Sequence, residues 1–247
     1  MLNQRFNQQI VTGAVLATVA ILGLSLSAIS GRASDDRDDD RNNDGHHDEE
    51  RKILIGFRVA PVPLNLVRKN RDLVGLGSYI VNVLSDCNGC HSMGPETEFT
   101  GNPYIFASPA MTSHQQKKVN PATYLGGGQD FGPFPAPDSP LHIFSRNLTP
   151  DITGKPEGGQ SFSEFSVIIR TGHDFDNIHP TCPANTPQTA KCVPFPFDGS
   201  LLQIMPWSAF QDMAEHDLRA IYEYLSAIPC IDTVVAGQPQ LRNSCPK

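Results

Sequence analysis

The sequence predicts an all-α domain with long, loop-rich insertions, and three observations carry that expectation. Apolar residues recur at helical spacing in separate stretches near residues 70–86, 161–172 and 215–228. The chain holds 21 prolines and 20 glycines among 247 residues, many for so few regular patterns, which points to loops between the helices. Apolar residues make up 39%, a globular share, and the length suits one large domain or two small ones with a core of ordinary size.

The N-terminus reads as a targeting segment. Residues 14–24, AVLATVAILGL, form an apolar core preceded by a short polar stretch with Arg5 and followed by small residues at Ala28, Ser30, Gly31 and Ala33. That is the layout of a secretory signal cut after Ala28 or Ala33. The rival reading for residues 1–33 is an uncleaved anchor, with residues 11–30 just long enough to span a bilayer. Either way, the remainder is expected outside the cytoplasm, in the periplasm, soluble or tethered to the membrane's outer face.

Residues 34–69 are expected to be an acidic flexible linker and an extended lead-in. The run DDRDDDRNNDGHHDEE over 35–50 supplies much of the formal charge of −7, and such blocks are usually solvated tails. His46 and His47 inside it could chelate a metal weakly, although a linker pair among acids needs no function. Pro61 and Pro63 argue for extended chain leading up to Asn70. The acidic balance gives no basic face of the kind nucleic-acid binding needs.

From Asn70 the pattern turns helical. Leu73, Leu76, Ile80 and Val83 or Leu84 share one side, and the helix runs directly into Cys87-Asn88-Gly89-Cys90-His91. Residues 92–160 are dense in Gly, Pro, Asn and Ser. Helix resumes near residue 161, with Ser161 or Ser163 as N-cap and Gly172 as stop. The last helix, about 215–228, carries an apolar stripe of Leu218, Ile221, Tyr222, Leu225 and Ile228, and Pro229 ends it. Residues 70–247 are therefore expected to form one domain.

Cys-x-x-Cys-His is the attachment motif of haem c. Two thiols add across the two vinyl groups of one haem, and a two-residue gap lets both reach. His91 then lies under the iron and offers an imidazole nitrogen. The competing readings are a redox dithiol, which wants a βαβ context that the preceding helix does not supply, and half a zinc site, which needs a second ligand pair at similar spacing. A low-spin electron-transfer haem takes Met or a second His as sixth ligand. Beyond the targeting segment the methionines are Met93, Met111, Met205 and Met213. Met205 stands out in LLQIMPWSAF, where Pro206 and Trp207 would stiffen its loop, with core filling as the alternative. His142 or His173 could instead give a bis-His iron, while His114, His179 and His216 read as surface or loop residues.

Two further segments carry a family resemblance. MPWSAFQDMAEHDLRAIYEYLSAIP resembles the C-terminal end of class I-type bacterial cytochromes c. It looks most like the cytochrome c subunits of membrane-bound alcohol and related dehydrogenases. Asn147-Leu148-Thr149-Pro150-Asp151, then Thr153-Gly154 and FSEFSVIIRTG, is similar to a segment of the same family, where such a run precedes a helix ending in Arg-x-Gly. The resemblance covers roughly residues 70–92 and 145–229. It implies a cytochrome c-like haem domain whose first and last helices cross beside the haem, with Met205 as distal ligand. The chain departs from that family in three ways. CxxCH occurs once, so one haem is expected. Ala214 stands where a Thr or Ser commonly caps the final helix. The stretch between Cys90 and Met205 is unusually long.

Four cysteines remain, and an even count in an exported chain suggests two disulfides. Proximity favours Cys182–Cys192 and Cys230–Cys245 among three possible pairings. No nucleophile and base suggest a substrate site, so the expected role is not enzymatic. The expectation is an electron carrier, or the electron-transfer subunit of a periplasmic or membrane dehydrogenase or respiratory chain, with a redox protein as partner. The alternative is an open-coordination haem enzyme or small-ligand sensor.

Overall fold

A computed structural model describes residues 37–100 and 118–246, of residues 37–44 and 240 the backbone alone. The targeting segment, Met111 and His114 lie outside the described residues. Within them the order is α1 (Arg37–Val59), α2 (Arg71–Tyr79) widening into a π-helical turn (Ile80–Leu84), α3 (Cys87–His91), β1 (Asp130–Pro133), β2 (His142–Phe144), α4 (Pro156–Gly159), α5 (Phe162–Thr171) and α6 (Glu215–Leu225). Most described residues are turns and irregular loops, and the two-stranded β1–β2 hairpin adds an element that an all-α expectation did not include.

α2 begins where Asn70 caps it, its side-chain oxygen accepting from the backbone N–H groups of Asp72 and Leu73 at 3.0 and 3.3 Å. It buries Val74 and Leu76 and lies between α1 and α6. The crossing with α6 is very close: a Cβ on Gly77 would overlap the main-chain carbonyl of Ala220. α6 contributes Leu218, Ala220, Ile221, Tyr224 and Leu225 to the same core. It starts at Ala214 without a side-chain cap, the weak point anticipated from its sequence. Inside the crossing, Tyr124 and Tyr224 share a hydroxyl–hydroxyl hydrogen bond of 2.7 Å, and Asn82 accepts from Tyr124 at 2.6 Å.

Residues 37–59 depart from the expected linker and lead-in, because they form α1. Ile53, Phe57 and Ala60 fall at i, i+4 and i+7 and pack against the core, which outweighs the solvated acidic half. Lys52 pairs with Asp48 one turn back at 2.7 Å, and Ser78 donates to the carbonyl of Gly56 at 2.7 Å to tie α2 to α1. Extended chain begins only beyond the helix, at Pro61 and Pro63. No described helix is long and apolar enough to cross a membrane.

α5 has a complete capping box, Ser161 and Glu164 each satisfying the other's backbone N–H. Its Phe162 and Phe165 meet Tyr222 of α6 at ring separations of 5.5 and 5.7 Å. The described residues between α3 and α6 fold back as a wall over these helices. A satellite cluster of Leu141, Ile143 and Val193 sits inside it. The disulfides Cys182–Cys192 and Cys230–Cys245 close that wall and the C-terminal tail, in the pairing proximity favoured. Asn147 and Thr149 knit wall to tail: Asn147 Nδ2 donates to the Ile231 carbonyl at 2.8 Å, and Asn243 Nδ2 donates to the Thr149 carbonyl at 2.9 Å.

Candidate functional site

Between the helices and the wall lies an open, mainly apolar cleft. Cys87, Cys90, His91 and Met205 all line it. The chain thus brings together the four residues singled out from the sequence, although Met205 lies far from the other three along it.

α3 carries the first three. Its entry residue, Asp86, takes the left-handed conformation at φ 45° and breaks the chain between the π-helical turn and Cys87. One turn of helix then sets Cys87, Cys90 and His91 along the cleft. Around it, the Leu125 N–H donates to Asn88 Oδ1 at 2.9 Å and the Gly127 N–H to the His91 carbonyl at 2.7 Å. His91 Nδ1 lies 2.8 Å from the carbonyl of Arg146. A carbonyl only accepts, so Nδ1 carries the proton and Nε2 keeps its lone pair. Burial pushes the His91 pKa down, so the imidazole is neutral and able to ligate at physiological pH.

The two thiols behave unlike a redox pair. Both are free. Burial, with Asp86 nearby, pushes the Cys87 thiol up to about 12 and raises Cys90 as well. A reactive dithiol needs a depressed pKa. Among the described residues no group of three or more His, Cys, Asp or Glu could hold a bare metal ion. What this donor set does fit is the cofactor expected from the motif: two thiols two residues apart, a neutral imidazole with Nε2 free, and a thioether, all in one apolar cleft.

Met205 reaches the cleft from a tightly strapped loop. Ile204 before it stands at φ 68°, a strained backbone for a β-branched residue. The Leu202 N–H donates to the Gly172 carbonyl at 2.7 Å, and Leu201 bridges His173. Gly172 itself is left-handed at φ 70° and ends α5. A Cβ there would overlap the Trp207 indole, so the glycine lets Trp207 clamp the loop onto the helix end. Arg170 donates to the Gln211 carbonyl at 2.8 Å on the far side of the clamp.

The other sequence candidates scatter. Met213 also lines the cleft but packs on the helical core, and Met93 is more than a third exposed. His142 pairs with Asp130 at 2.8 Å on the hairpin. His173 stacks edge-on against Phe175. Neither is among the cleft-lining residues. His46 and His47 are exposed on α1. Sequence reasoning missed Arg146, Glu157, Asp174 and His179, which line one part of the cleft. Only the position of Arg146 beside the Asn147–Asp151 run offered a signal, since loops bring the others together. Burial lowers the pKa of His179 too, helped by Arg146.

No family model, curated protein or solved structure matches this chain.

Proposed function

We propose that the chain is an exported, single-haem c-type cytochrome of the class I kind that carries electrons. Cys87 and Cys90 would hold the haem as thioethers, and His91 and Met205 would be its axial ligands. The observation that carries this reading is the convergence of Cys87, Cys90, His91 and Met205 on one apolar cleft. The haem, when bound, supplies a one-electron couple whose potential is raised by Met ligation.

The chain's own residues do the rest. The Arg146 carbonyl holds the His91 proton on Nδ1 and so aims Nε2 into the cleft. The Gly172–Trp207 clamp fixes the Met205 loop on the end of α5, so Met205 would stay on a bound iron, close it to substrates and favour transfer over catalysis. Apolar side chains such as Val81, Phe165 and Ile221 line the cleft and would keep water from the bound group. Export and a redox-protein partner, a dehydrogenase subunit, an oxidase or another cytochrome, complete the proposal. The acidic half of α1 would steer a basic partner by charge, an encounter weakened by salt.

A pyridine haemochrome spectrum of the purified protein should show haem c. The oxidised form should show the near-infrared Met-to-iron band, and Met205→Ala should abolish it. Carbon monoxide binding to the native reduced protein would instead favour the open-iron sensor or enzyme. A bis-His spectrum would transfer the sixth position to His179, which faces the same cleft.

A further inference from the structure

The cleft holds an acid that electron transfer alone does not require. Glu157 lines it, on the single turn α4 between Pro156 and two glycines. Its backbone is left-handed, φ 51° and ψ 54°, a region a glutamate occupies only under strain. Gly158 and Gly159 follow at φ 71° and 101°, so the chain uses glycine at the neighbouring positive-φ positions and a carboxylate here. Strain retained at one side chain is a mark of use.

Its surroundings explain what that use is. Arg146 faces Glu157 from the loop after β2, but both arms of its guanidinium are taken, by Asp174 at 2.7 Å and Asp176 at 2.6 Å. Both aspartates, from the loop after α5, also act on Glu157, and His179 of that loop lines the same cleft. Lys155 stands two residues away on the same turn. One guanidinium therefore faces three carboxylates beside apolar walls, and Glu157 is the carboxylate without a short ion pair.

We propose that Glu157 is a proton site coupled to reduction of the cofactor in this cleft. The inference rests on the haem reading above. As iron(III) takes one electron from the redox partner, the Glu157 carboxylate takes one proton from solvent and becomes the acid. Oxidation returns both. The protein would then carry one proton with each electron around neutral pH. The driving force is Coulombic, since reduction removes one positive charge from a mainly apolar cleft. Burial supports it by pushing the Glu157 carboxyl up to about 7, against the pull of Arg146.

The test is a potentiometric titration of the full haem-loaded protein between about pH 5 and pH 9. The wild type should lose up to about 59 mV per pH unit near neutrality, the one-electron equivalent of a tenfold change in proton activity. Glu157→Gln should flatten that slope. Glu157→Gly, which also relieves the left-handed backbone, should flatten it equally and guards against a folding defect in the first variant. A slope that survives both substitutions overturns the coupling while leaving the cytochrome reading intact. Absence of a haemochrome spectrum in the same sample overturns that reading, and the coupling with it.

Discussion

The helical frame and the loop-built wall hold themselves together by different means. In the frame, α1, α2 and α6 bury Val74, Leu218, Tyr224 and Leu225 at 0–2% exposure, so apolar burial dominates. The wall lends Tyr124, Leu125 and Phe165 to the frame's core but buries just Leu141, Ile143 and Val193 in a small cluster of its own. It relies on turn hydrogen bonds, on Asn147 and Thr149, and on the disulfides. The proposed ligands divide along the same line: α3 carries His91 beside the frame, and the wall's last loop carries Met205. The wall's half of the site should therefore fail on its own, whereas loss of the frame should take both.

Substitutions can break that division, the frame first. Tyr224→Ala removes a fully buried aromatic and should cost about 3–5 kcal/mol, unfolding frame and wall together in denaturant titrations. Replacing Cys182 and Cys192 by Ser should cost about 3 kcal/mol on loop-closure grounds. Hydrogen exchange should then speed up in residues 180–205 and not in α2 or α6. Uniform acceleration would show that wall and frame are one cooperative unit. Gly172→Ala should cost about 1–3 kcal/mol by crowding Trp207, and should weaken the Met-to-iron band while the haem stays attached. Ser161→Ala removes half of the α5 capping box and should cost about 1 kcal/mol, read as a small drop in Tm with the spectrum unchanged.

A pH dependence is expected as well. The Glu157 carboxyl is raised in the fold from its ordinary 4.5 to about 7. Its protonated form is thus the one the fold prefers, and its contribution is full below 4.5. Stability should fall as pH rises through about 7, and the fall should vanish in Glu157→Gln. An unchanged Tm profile in that variant would assign the pH dependence to other groups.

The two regions were also unequally legible in the sequence. Helical spacing located α2, α5 and α6, because one face of each meets the same core, and Ser161 and Gly172 marked the ends of α5 as capping chemistry requires. Tyr224 was missed because it lies off the stripe read for α6, facing Tyr124 instead. α1 was missed because its acidic half dominates the composition, while three apolar residues spaced by helical turns fix the conformation. The wall left no period to read. Its turns are set by glycines, prolines and Asx hydrogen bonds, which act locally and do not reveal what they bring together. Hence Cys87, Cys90 and His91 were visible from spacing and Met205 through the family resemblance, whereas Glu157 and His179 emerged as cleft residues only from the fold.

The contact that orients His91 has a consequence for mutational robustness. Its acceptor is a main-chain carbonyl at position 146, and every amino acid, proline included, carries that group. Single-codon changes at 146 can discard the guanidinium and its two aspartate partners while the acceptor itself persists. The imidazole's tautomer is therefore insulated from substitution at its own partner, and the charge balance around Glu157 is not. Over generations, this architecture would let the charged half of the site drift while the orientation of His91 stays constant.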